Sequence, residues 1–247
     1  MKLLCTGDWH FGLKVGGYDY HEDIVKAVQC IIDAADNTDG IVIGGDLFHS
    51  NNPSPRSYAA VMELLDQLMA PAVLIVGNHD TGTETMQVMK EGKPIRVPMS
   101  NALEPLKKAR FRTDVKVFDV PMVESIGDSK EQFLFVPYMS DVLAKHEMDL
   151  SAQEAVDRAF SDATSEDVRA GFTHLDLSEA IPGSEQAVMR GATLSMPVGA
   201  GRLSFPVVNQ HIHKRQVVNG IIHPGSIVAT DFSDVDGSLG YCILEVN

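Results

Sequence analysis

The sequence has no long hydrophobic run and few cysteines. No stretch of its 247 residues approaches the ~18 consecutive apolar residues that a membrane-spanning helix needs. The N-terminal MKLLCTGDWHFG turns polar too early for a secretion signal. Cys5, Cys30 and Cys242 lack the spacing of a metal site. We therefore expect reduced core thiols in a cytoplasmic protein.

Positive charge is also scarce. The chain has 20 Lys and Arg against 34 Asp and Glu, which gives a net charge of −14. Such a protein repels nucleic acid at long range, so any contact with DNA must be local. The hydrophobic content of 44% and the charged content of 22% are typical of globular proteins, and they exclude disordered and fibrous classes.

Strands and helices are predicted to alternate in the first half of the chain. Apolar runs at 2–6, 40–46 and 71–80 indicate buried strands, and 19–35 and 54–69 have helical spacing. This succession predicts a parallel sheet. Residues 81–114 look irregular apart from a helix at 101–111, and further elements are expected as a helix at 150–166 and strands at 115–118, 132–137, 169–173, 217–222, 226–230 and 240–246. We predict one layered α/β domain over residues 1–247, with a mixed or antiparallel second half.

Five short polar segments are each expected to follow a strand: GDWH (7–10), GDLFH (45–49), GNHD (77–80), FTHLD (172–176) and QHIHK (210–214). In extended backbone, residues two apart point the same way, so Asp8 and His10 are expected to reach one ion, as are His211 and His213. The ends of parallel strands meet at one sheet edge, where the five segments can converge.

These segments offer carboxylate, imidazole and amide donors. Mixed nitrogen and oxygen ligands suit Mn²⁺, Fe²⁺ or Zn²⁺ better than Ca²⁺. The absence of cysteine from the set argues against a closed structural zinc site. Each segment alone is a weak signal, because a Gly-Asp pair is usually a turn and an HxH pair usually lies at the surface or is hydrogen-bonded in the core. The prediction of a metal site therefore depends on all five occurring in order.

The order GDxH, GDxxx, GNHD, H and HxH resembles the signature of the calcineurin-like metallophosphoesterases. GDWHFG, GDLFHSNNPSPRSY (45–58) and HIHKRQ followed by IIHPGSI (221–227) are similar to the Mre-eleven/SbcD nucleases of double-strand-break repair. The resemblance implies two mixed β-sheets flanked by helices. Gln210 departs from it, because the family usually has glycine before HxH. Larger members continue into a DNA-capping domain and an ATPase-binding segment, which we expect to be absent because the chain ends at Asn247.

The resemblance also implies roles for individual residues. Asp46 would bridge two metal ions. The remaining ligands would be Asp8, His10 and His213 for the first ion and Asn78, His174 and His211 for the second. His79 would be catalytic, with a packing histidine as the alternative. Asp80 would orient the loop or His79 and would not bind metal. His49 would contact the phosphate and support exonuclease chemistry, or else be an ordinary loop histidine.

Other residues carry weaker signals. DNA phosphates could be contacted by Arg56, Lys107, Lys108, Lys214 and Arg215. Such basic residues are more often simply solvated. The methionine-bearing stretch 84–99 could form a dimer interface or pack in the core. His21, His146 and His223 lack comparable spacing, so we expect surface, capping or turn histidines there.

Three functions remain open on the sequence alone. The first is a two-metal, Mn²⁺-dependent DNA nuclease, with Mg²⁺, Fe²⁺ or Zn²⁺ as alternative ions. It would have 3′–5′ exonuclease activity on duplexes and endonuclease activity on single strands or hairpins. It would act in recombination or repair as a homodimer with an SMC-like ATPase of the SbcC type, and its size would suit a phage enzyme in the host cytoplasm. The alternatives are a small-molecule phosphodiesterase or phosphatase on the same fold and a non-catalytic scaffold.

Overall fold

A computed structural model describes residues 1–82, 85–90, 93–98, 101–164, 166–183, 194–197, 199–230, 234 and 238–246. Its strands are β1 (Lys2–Thr6), β2 (Lys14–Val15), β3 (Tyr18–Asp19), β4 (Gly40–Ile43), β5 (Ala72–Ile75), β6 (Thr85–Lys90), β7 (Lys93–Pro98), β8 (Val115–Phe118), β9 (Met122–Glu124), β10 (Gln132–Val136), β11 (Val168–Thr173), β12 (Val207–Asn209), β13 (Gln216–Val218), β14 (Ile221–His223) and β15 (Cys242–Glu245). Its α-helices are α1 (His21–Ala35), α2 (Pro55–Asp66), α3 (Glu104–Lys108), α4 (Asp141–Met148) and α5 (Ala152–Ala163). None of the described helices is long and apolar enough to cross a membrane.

The first sheet has the order β15-β1-β4-β5-β8. The four strands from β1 to β8 run parallel, and β15 joins β1 antiparallel. The strands β1, β4 and β5 are almost entirely buried, as expected of parallel strands covered on both faces. The parallel sheet predicted from the alternation of strands and helices is therefore confirmed.

The second sheet has the order β13-β14-β12-β11-β10-β9. Its four central strands are parallel, and β13 and β9 join its two edges antiparallel. The second half of the chain is thus mixed, as predicted. Helix α5 covers one face of this sheet and begins with a capping box of Ser151 and Glu154, which satisfies free N–H groups at the helix start.

The two sheets pack against each other through an apolar core. Leu3, Val42 and Ile75 of the first sheet meet Phe135 and Phe172 of the second, and all five side chains are buried. A second core lies under α1 and α2, where Ile24, Val28, Val61 and Leu65 are among the buried residues. The described residues therefore form two mixed sheets flanked by helices, together with the two-stranded sheets β2–β3 and β6–β7. This confirms the predicted α/β architecture.

Several local predictions were wrong. No strand forms at 226–230, and the segment predicted as one strand at 217–222 is the hairpin β13–β14, which turns at Asn219 and Gly220. The helix predicted at 101–111 is only the five-residue α3. The irregular stretch 84–99 contains the hairpin β6–β7, although residues 84, 91, 92 and 99 lie outside the described residues. Helix α4 was not predicted, because its apolar periodicity is weak.

The three cysteines are free thiols, as predicted, but they do not all lie in the core. Cys5 is buried in β1 and Cys242 is half-buried opposite it in β15. Cys30 is exposed on α1, so the expectation of a core position was wrong there. Its neighbours Ile31 and Ile32 occupy the buried face of the helix instead, because residues one and two apart on a helix point in different directions.

Gln210 links the two sheets beside the ends of their strands. Its side-chain amide donates hydrogen bonds to the carbonyls of Thr6 and Val42, and its backbone N–H donates to Thr173. The side chain fills the space above Gly7 and Gly44, where an added Cβ would lie 2.9 Å and 2.5 Å from the Cβ of Gln210. The departure from the family's glycine is therefore accommodated by two glycines opposite it.

We predict that Gly44→Ala destabilises the protein by about 1–3 kcal/mol or more, because the new methyl group would lie 1.6 Å from Oε1 of Gln210. Combining it with Gln210→Gly should remove most of that penalty, since all three nearest atoms belong to Gln210. Urea unfolding of both single variants and the double variant measures the coupling. Gly171→Ala is the matched control, because its Cβ would make only ordinary contacts. Equal penalties for Gly44→Ala in both backgrounds would contradict the packing argument.

Candidate metal centre

All five polar segments follow strands, and their side chains converge. The first sheet supplies Asp8 and His10 after β1, Asp46 after β4, and Asn78 after β5. The second sheet supplies His174 after β11 and His211 and His213 after β12. Backbone N–H groups of Asp8 and His10 donate to the carbonyls of Gly45 and Asp46 at 3.0 Å. These bonds fix the first two loops against each other.

The backbone at these residues is not extended, contrary to the expectation from the i, i+2 spacing. Asp8 and His10 both have φ near 51°, and Asp46 has φ of 49°. Non-glycine residues with positive φ are uncommon, and they persist only where surrounding contacts hold them. The left-handed turns, and not an extended segment, aim Asp8 and His10 at the same point.

Asp8, His10 and His213 form a first group, with one donor atom of each lying within 4.8 Å of the others. All three side chains are buried. Nε2 of His10 lies 3.3 Å from Nε2 of His213, which lies 3.9 Å from Oδ1 of Asp8. This group contains the three residues that the resemblance assigns to the first ion.

Asp46, His174 and His211 form a second buried group of the same kind. Nε2 of His174 lies 2.9 Å from Oδ1 of Asn78, 3.1 Å from Nδ1 of His211 and 3.5 Å from Oδ2 of Asp46. His211 and His213 thus belong to different groups. The expectation that both reach one ion does not match these two groups, whereas the division implied by the resemblance does. The assignment of ligands to ions stays a prediction.

The Asp46 carboxylate lies between the two groups and is only 1% exposed. Its Oδ2 is 3.5 Å from Nε2 of His174 and 4.0 Å from Nε2 of both His10 and His79. Its Oδ1 accepts a hydrogen bond of 2.8 Å from the backbone N–H of His79. Burial favours the neutral acid, but the histidines around it, His174 above all, hold the pKa of Asp46 well below its usual range. A buried negative charge therefore faces both groups.

The buried histidines of the two groups differ in protonation. Burial, reinforced by neighbouring histidines, lowers the pKa of His10 well below its usual range. Burial also lowers the pKa of His211. At His174 burial acts in the same direction, but the Asp46 carboxylate outweighs it and raises the pKa to about 9. A divalent ion would displace that proton, because metal-ligating imidazoles are neutral.

Each group combines carboxylate oxygen with imidazole nitrogen, and the second also has the Asn78 amide oxygen. These donors suit borderline divalent cations. Ring nitrogens that face one another across 3.1–3.3 Å are also readily spanned by a shared cation. The residues therefore fit metal ions, and the buried Asp and His groups are consistent with a binuclear metal site.

His49 and His79 lie beside His10 at the half-buried edge of the first group. Nδ1 of His49 is 3.4 Å from Nδ1 of His10, and the His49 and His79 rings stack with centroids 5.2 Å apart. Nδ1 of His79 lies 3.0 Å from the His49 carbonyl oxygen. Donor atoms of these three histidines also lie within 4.8 Å of one another, so ligation by His49 or His79 is geometrically open.

The Asp80 side chain is fully buried and braces two loops. Its carboxylate accepts backbone hydrogen bonds from Leu47, Phe48 and Gly77 at 3.0–3.3 Å. These bonds join the loop after β4 to the loop after β5. Burial and the nearby Asp46 carboxylate raise the pKa of Asp80 to about 7. These bonds agree with the prediction that Asp80 orients the loop or His79 and does not bind metal.

Most of the candidate DNA-contacting residues have partners within the protein. Arg56 pairs with Asp19 and Glu22, and Arg215 donates to the carbonyl of Tyr241. Lys107 and Lys108 both pair with Glu104. Within the described part of the chain, only Lys214 of this set has no such carboxylate or carbonyl partner. Carboxylates therefore pair with three of these five positive charges.

Three residues near the site had no role assigned from the sequence. Asp176 lies 2.9 Å from Nε2 of His211, and Asp234 lies 3.4 Å from Nδ1 of His213. His223 was expected to be a surface, capping or turn histidine, but it is the last residue of β14 and only 1% exposed. Burial and the neighbouring His211 lower the pKa of His223 to about 4, so it is neutral near pH 7. Asp176 was visible in the FTHLD segment, but no spacing rule marks it or Asp234.

Comparison with known proteins points to one family. The calcineurin-like phosphoesterase model matches residues 1–194. The chain is 25% identical over 261 aligned residues to SbcD, the D component of the nuclease SbcCD, from Staphylococcus epidermidis, covering 100% of this chain and 66% of that protein. It therefore spans just under two thirds of that relative's length.

Two further likenesses are more limited. Over 95 residues the chain is 36% identical to the DNA double-strand break repair protein Mre11 of Methanosarcina acetivorans, covering 34% of this chain and 15% of that protein. In fold it is similar to purple acid phosphatase PPD1 from yellow lupin seeds, with 14% identity and a TM-score of 0.45, covering 100% of this chain and 46% of that one.

The family match begins at β1 and includes every segment of the site except the two histidines after β12. It covers well over half of the chain, and the SbcD likeness extends over all of it at low identity. The chain belongs to the calcineurin-like phosphoesterase family.

Proposed function

We propose that this chain is a two-metal DNA nuclease that uses Mn²⁺ to hydrolyse phosphodiester bonds. The observation that carries the proposal is the position of Asp46, whose Oδ2 faces ring nitrogens of both buried groups. A carboxylate in that position suits a bridge between two ions. When bound, such ions activate water and stabilise charge on the transferring phosphoryl group.

In this proposal the two groups hold one ion each. Asp8, His10 and His213 would bind the first, Asn78, His174 and His211 the second, and Asp46 both. His79 would donate a proton to the leaving oxygen or stabilise the transition state. His79 is half-buried. Its backbone N–H donates to Oδ1 of Asp46 and its ring lies beside that of His10, so its side chain can face both the metal groups and the substrate.

The nuclease assignment is supported by the full-length likeness to SbcD and by the GDLFHSNNPSP segment. It includes 3′–5′ exonuclease activity on duplexes, endonuclease activity on single strands or hairpins, and an SMC-like ATPase of the SbcC type as partner. A cytoplasmic location and a role in recombination and repair belong to the same proposal.

A small-molecule phosphodiesterase is the second candidate. It is favoured by the net charge of −14 and by the internal pairing of Arg56, Lys107, Lys108 and Arg215. An enzyme for small substrates needs no surface of unpaired basic side chains, whereas a DNA-binding protein usually has such a surface to contact the phosphates.

We expect the wild-type chain with Mn²⁺ to degrade 3′-labelled duplex DNA as well as bis-p-nitrophenyl phosphate. Asp46→Ala should abolish cleavage of both substrates, because neither ion would keep its full set of ligands. Hydrolysis of the small substrate alone would support the second candidate. Appreciable Mn²⁺-dependent cleavage by Asp46→Ala would contradict the two-metal assignment.

His49 should separate duplex digestion from other phosphoester chemistry. We predict that His49→Ala keeps both ions and its single-strand endonuclease activity, while duplex exonuclease activity falls by about 10²-fold, a typical loss for one positioned group. Metal content and two parallel nuclease assays on one preparation check this. Loss of an ion would make His49 a ligand, and equal losses on both substrates would make it a general catalytic group. No effect would leave it an ordinary loop histidine.

We also propose a homodimer that forms through the hairpin β6–β7, which presents Met86 and Met89 with exposed fractions of 49% and 70%. These residues are three apart in one strand, so they point to opposite faces of the hairpin. Analytical ultracentrifugation should show a dimer. One of the two variants, Met86→Lys or Met89→Lys, should dissociate it, and the variant that does so identifies the face of the hairpin that is buried in the dimer. A wild-type monomer at micromolar concentration would remove the proposal.

A further inference from the structure

The two histidines of the HxH segment each place their outer ring nitrogen beside a buried aspartate. Asp176 comes from the loop after β11, and Asp234 from the segment between β14 and β15. Asp176 is 8% exposed and Asp234 is 1% exposed. A buried carboxylate beside an imidazole fixes which ring nitrogen carries the proton, and thereby which nitrogen presents its lone pair.

At His211 the aspartate selects the Nε2–H tautomer. Oδ1 of Asp176 lies 2.9 Å from Nε2 of His211 and accepts its proton. Nδ1 is left to face Nε2 of His174 at 3.1 Å, inside the second group. Two backbone hydrogen bonds hold Asp176. Its N–H donates to the carbonyl of Leu194, and its carbonyl accepts from the N–H of Met196. Its carboxylate therefore acts from a fixed position.

At His213 the arrangement selects the opposite tautomer. Nδ1 of His213 lies 3.2 Å from Oγ1 of Thr230 and 3.4 Å from Oδ2 of Asp234. The Thr230 hydroxyl donates to that same Oδ2 at 2.8 Å. It therefore presents a lone pair to His213, and both neighbours act as acceptors for Nδ1–H. Nε2 is left to face His10 at 3.3 Å, inside the first group.

We propose that Asp176 and Asp234 are positioning residues that hold His211 and His213 in opposite tautomers, so that neighbouring histidines serve two different metal ions. The assignment of the two histidines to two ions rests on the proposed two-metal function. The choice of tautomers does not, because the aspartates fix the tautomers without any ion. It explains how residues two apart belong to different groups: one presents Nδ1 and the other presents Nε2.

The two aspartates are expected to differ in strength. Asp176 contacts His211 at normal hydrogen-bond length, whereas Asp234 is farther from His213 and shares its oxygen with Thr230. Outer partners of metal-binding histidines typically change metal affinity by about 10–100-fold. We expect Asp176→Asn to weaken binding of the second ion by an amount in the upper part of that range. Asp234→Asn should weaken binding of the first ion by an amount in the lower part.

The first measurement is made on the metal-free full chain. Long-range ¹H–¹⁵N spectra near pH 7.5 report the ring tautomer of each histidine, with His211→Gln and His213→Gln variants giving the assignments. The expected result is Nε2–H at His211 and Nδ1–H at His213. Asp176→Asn should alter the His211 pattern and leave that of His213 unchanged. The same tautomer at both histidines would overturn the proposal.

The second measurement is a Mn²⁺ titration followed by calorimetry and by the EPR signal of a coupled ion pair. Asp176→Asn and Asp234→Asn should each weaken one ion and abolish the coupled signal at limiting Mn²⁺. Asp39→Asn is the matched control, since its carboxylate accepts a backbone hydrogen bond from Lys2, on another element. The Asp39→Asn variant should bind both Mn²⁺ ions with the affinities of the wild type.

The outcomes separate the two proposals. A wild-type chain that binds no Mn²⁺ but shows opposite tautomers would refute the two-metal function and support the tautomer selection. Two ions retained at wild-type affinity in both aspartate variants would overturn the positioning role while leaving the two-metal function intact. Equal weakening of both ions by each variant, together with a lower unfolding midpoint, would indicate a structural role and also overturn it.

Discussion

The rest of the site is arranged around one buried carboxylate. Asp46 is almost fully enclosed, and an ionised group there is costly unless cations or donors surround it. Three histidines from three different loops, His10, His79 and His174, lie within 4.0 Å of its Oδ2. The attraction between the Asp46 carboxylate and the His174 ring raises the pKa of His174 and lowers that of Asp46. Metal ions would supply the same compensation more completely.

Placing that carboxylate requires strained backbone, which explains why part of the geometry could not be predicted. The apolar runs of β1, β4 and β5 and the polar residues after them located the site, since buried strands and their ends have a clear sequence pattern. Positive φ at Asp8, His10 and Asp46 has no such pattern. It is held by bonds between loops far apart in sequence, including those of Asp80 to Leu47 and Phe48.

The second half of the chain was less predictable for a related reason. Strands β12, β13 and β14 have only three residues each, too few to establish a period. Their pairing is set by neighbours in the sheet, and not by local preference. Asp176 and Asp234 escaped prediction similarly, since each is defined by the histidine it contacts across the fold.

The site is divided between the two sheets, so its geometry depends on how they are held together. The first sheet positions Asp8, His10, Asp46 and Asn78, and the second positions the other three histidines. A slide of one sheet relative to the other would separate His174 from Asp46. Gln210 opposes that slide, because it follows β12 in the second sheet while its amide donates to carbonyls of β1 and β4 in the first. The residue that departs from the family's glycine therefore joins the two halves of the site beside HxH itself, where a glycine would contribute neither the hydrogen bonds nor the packing.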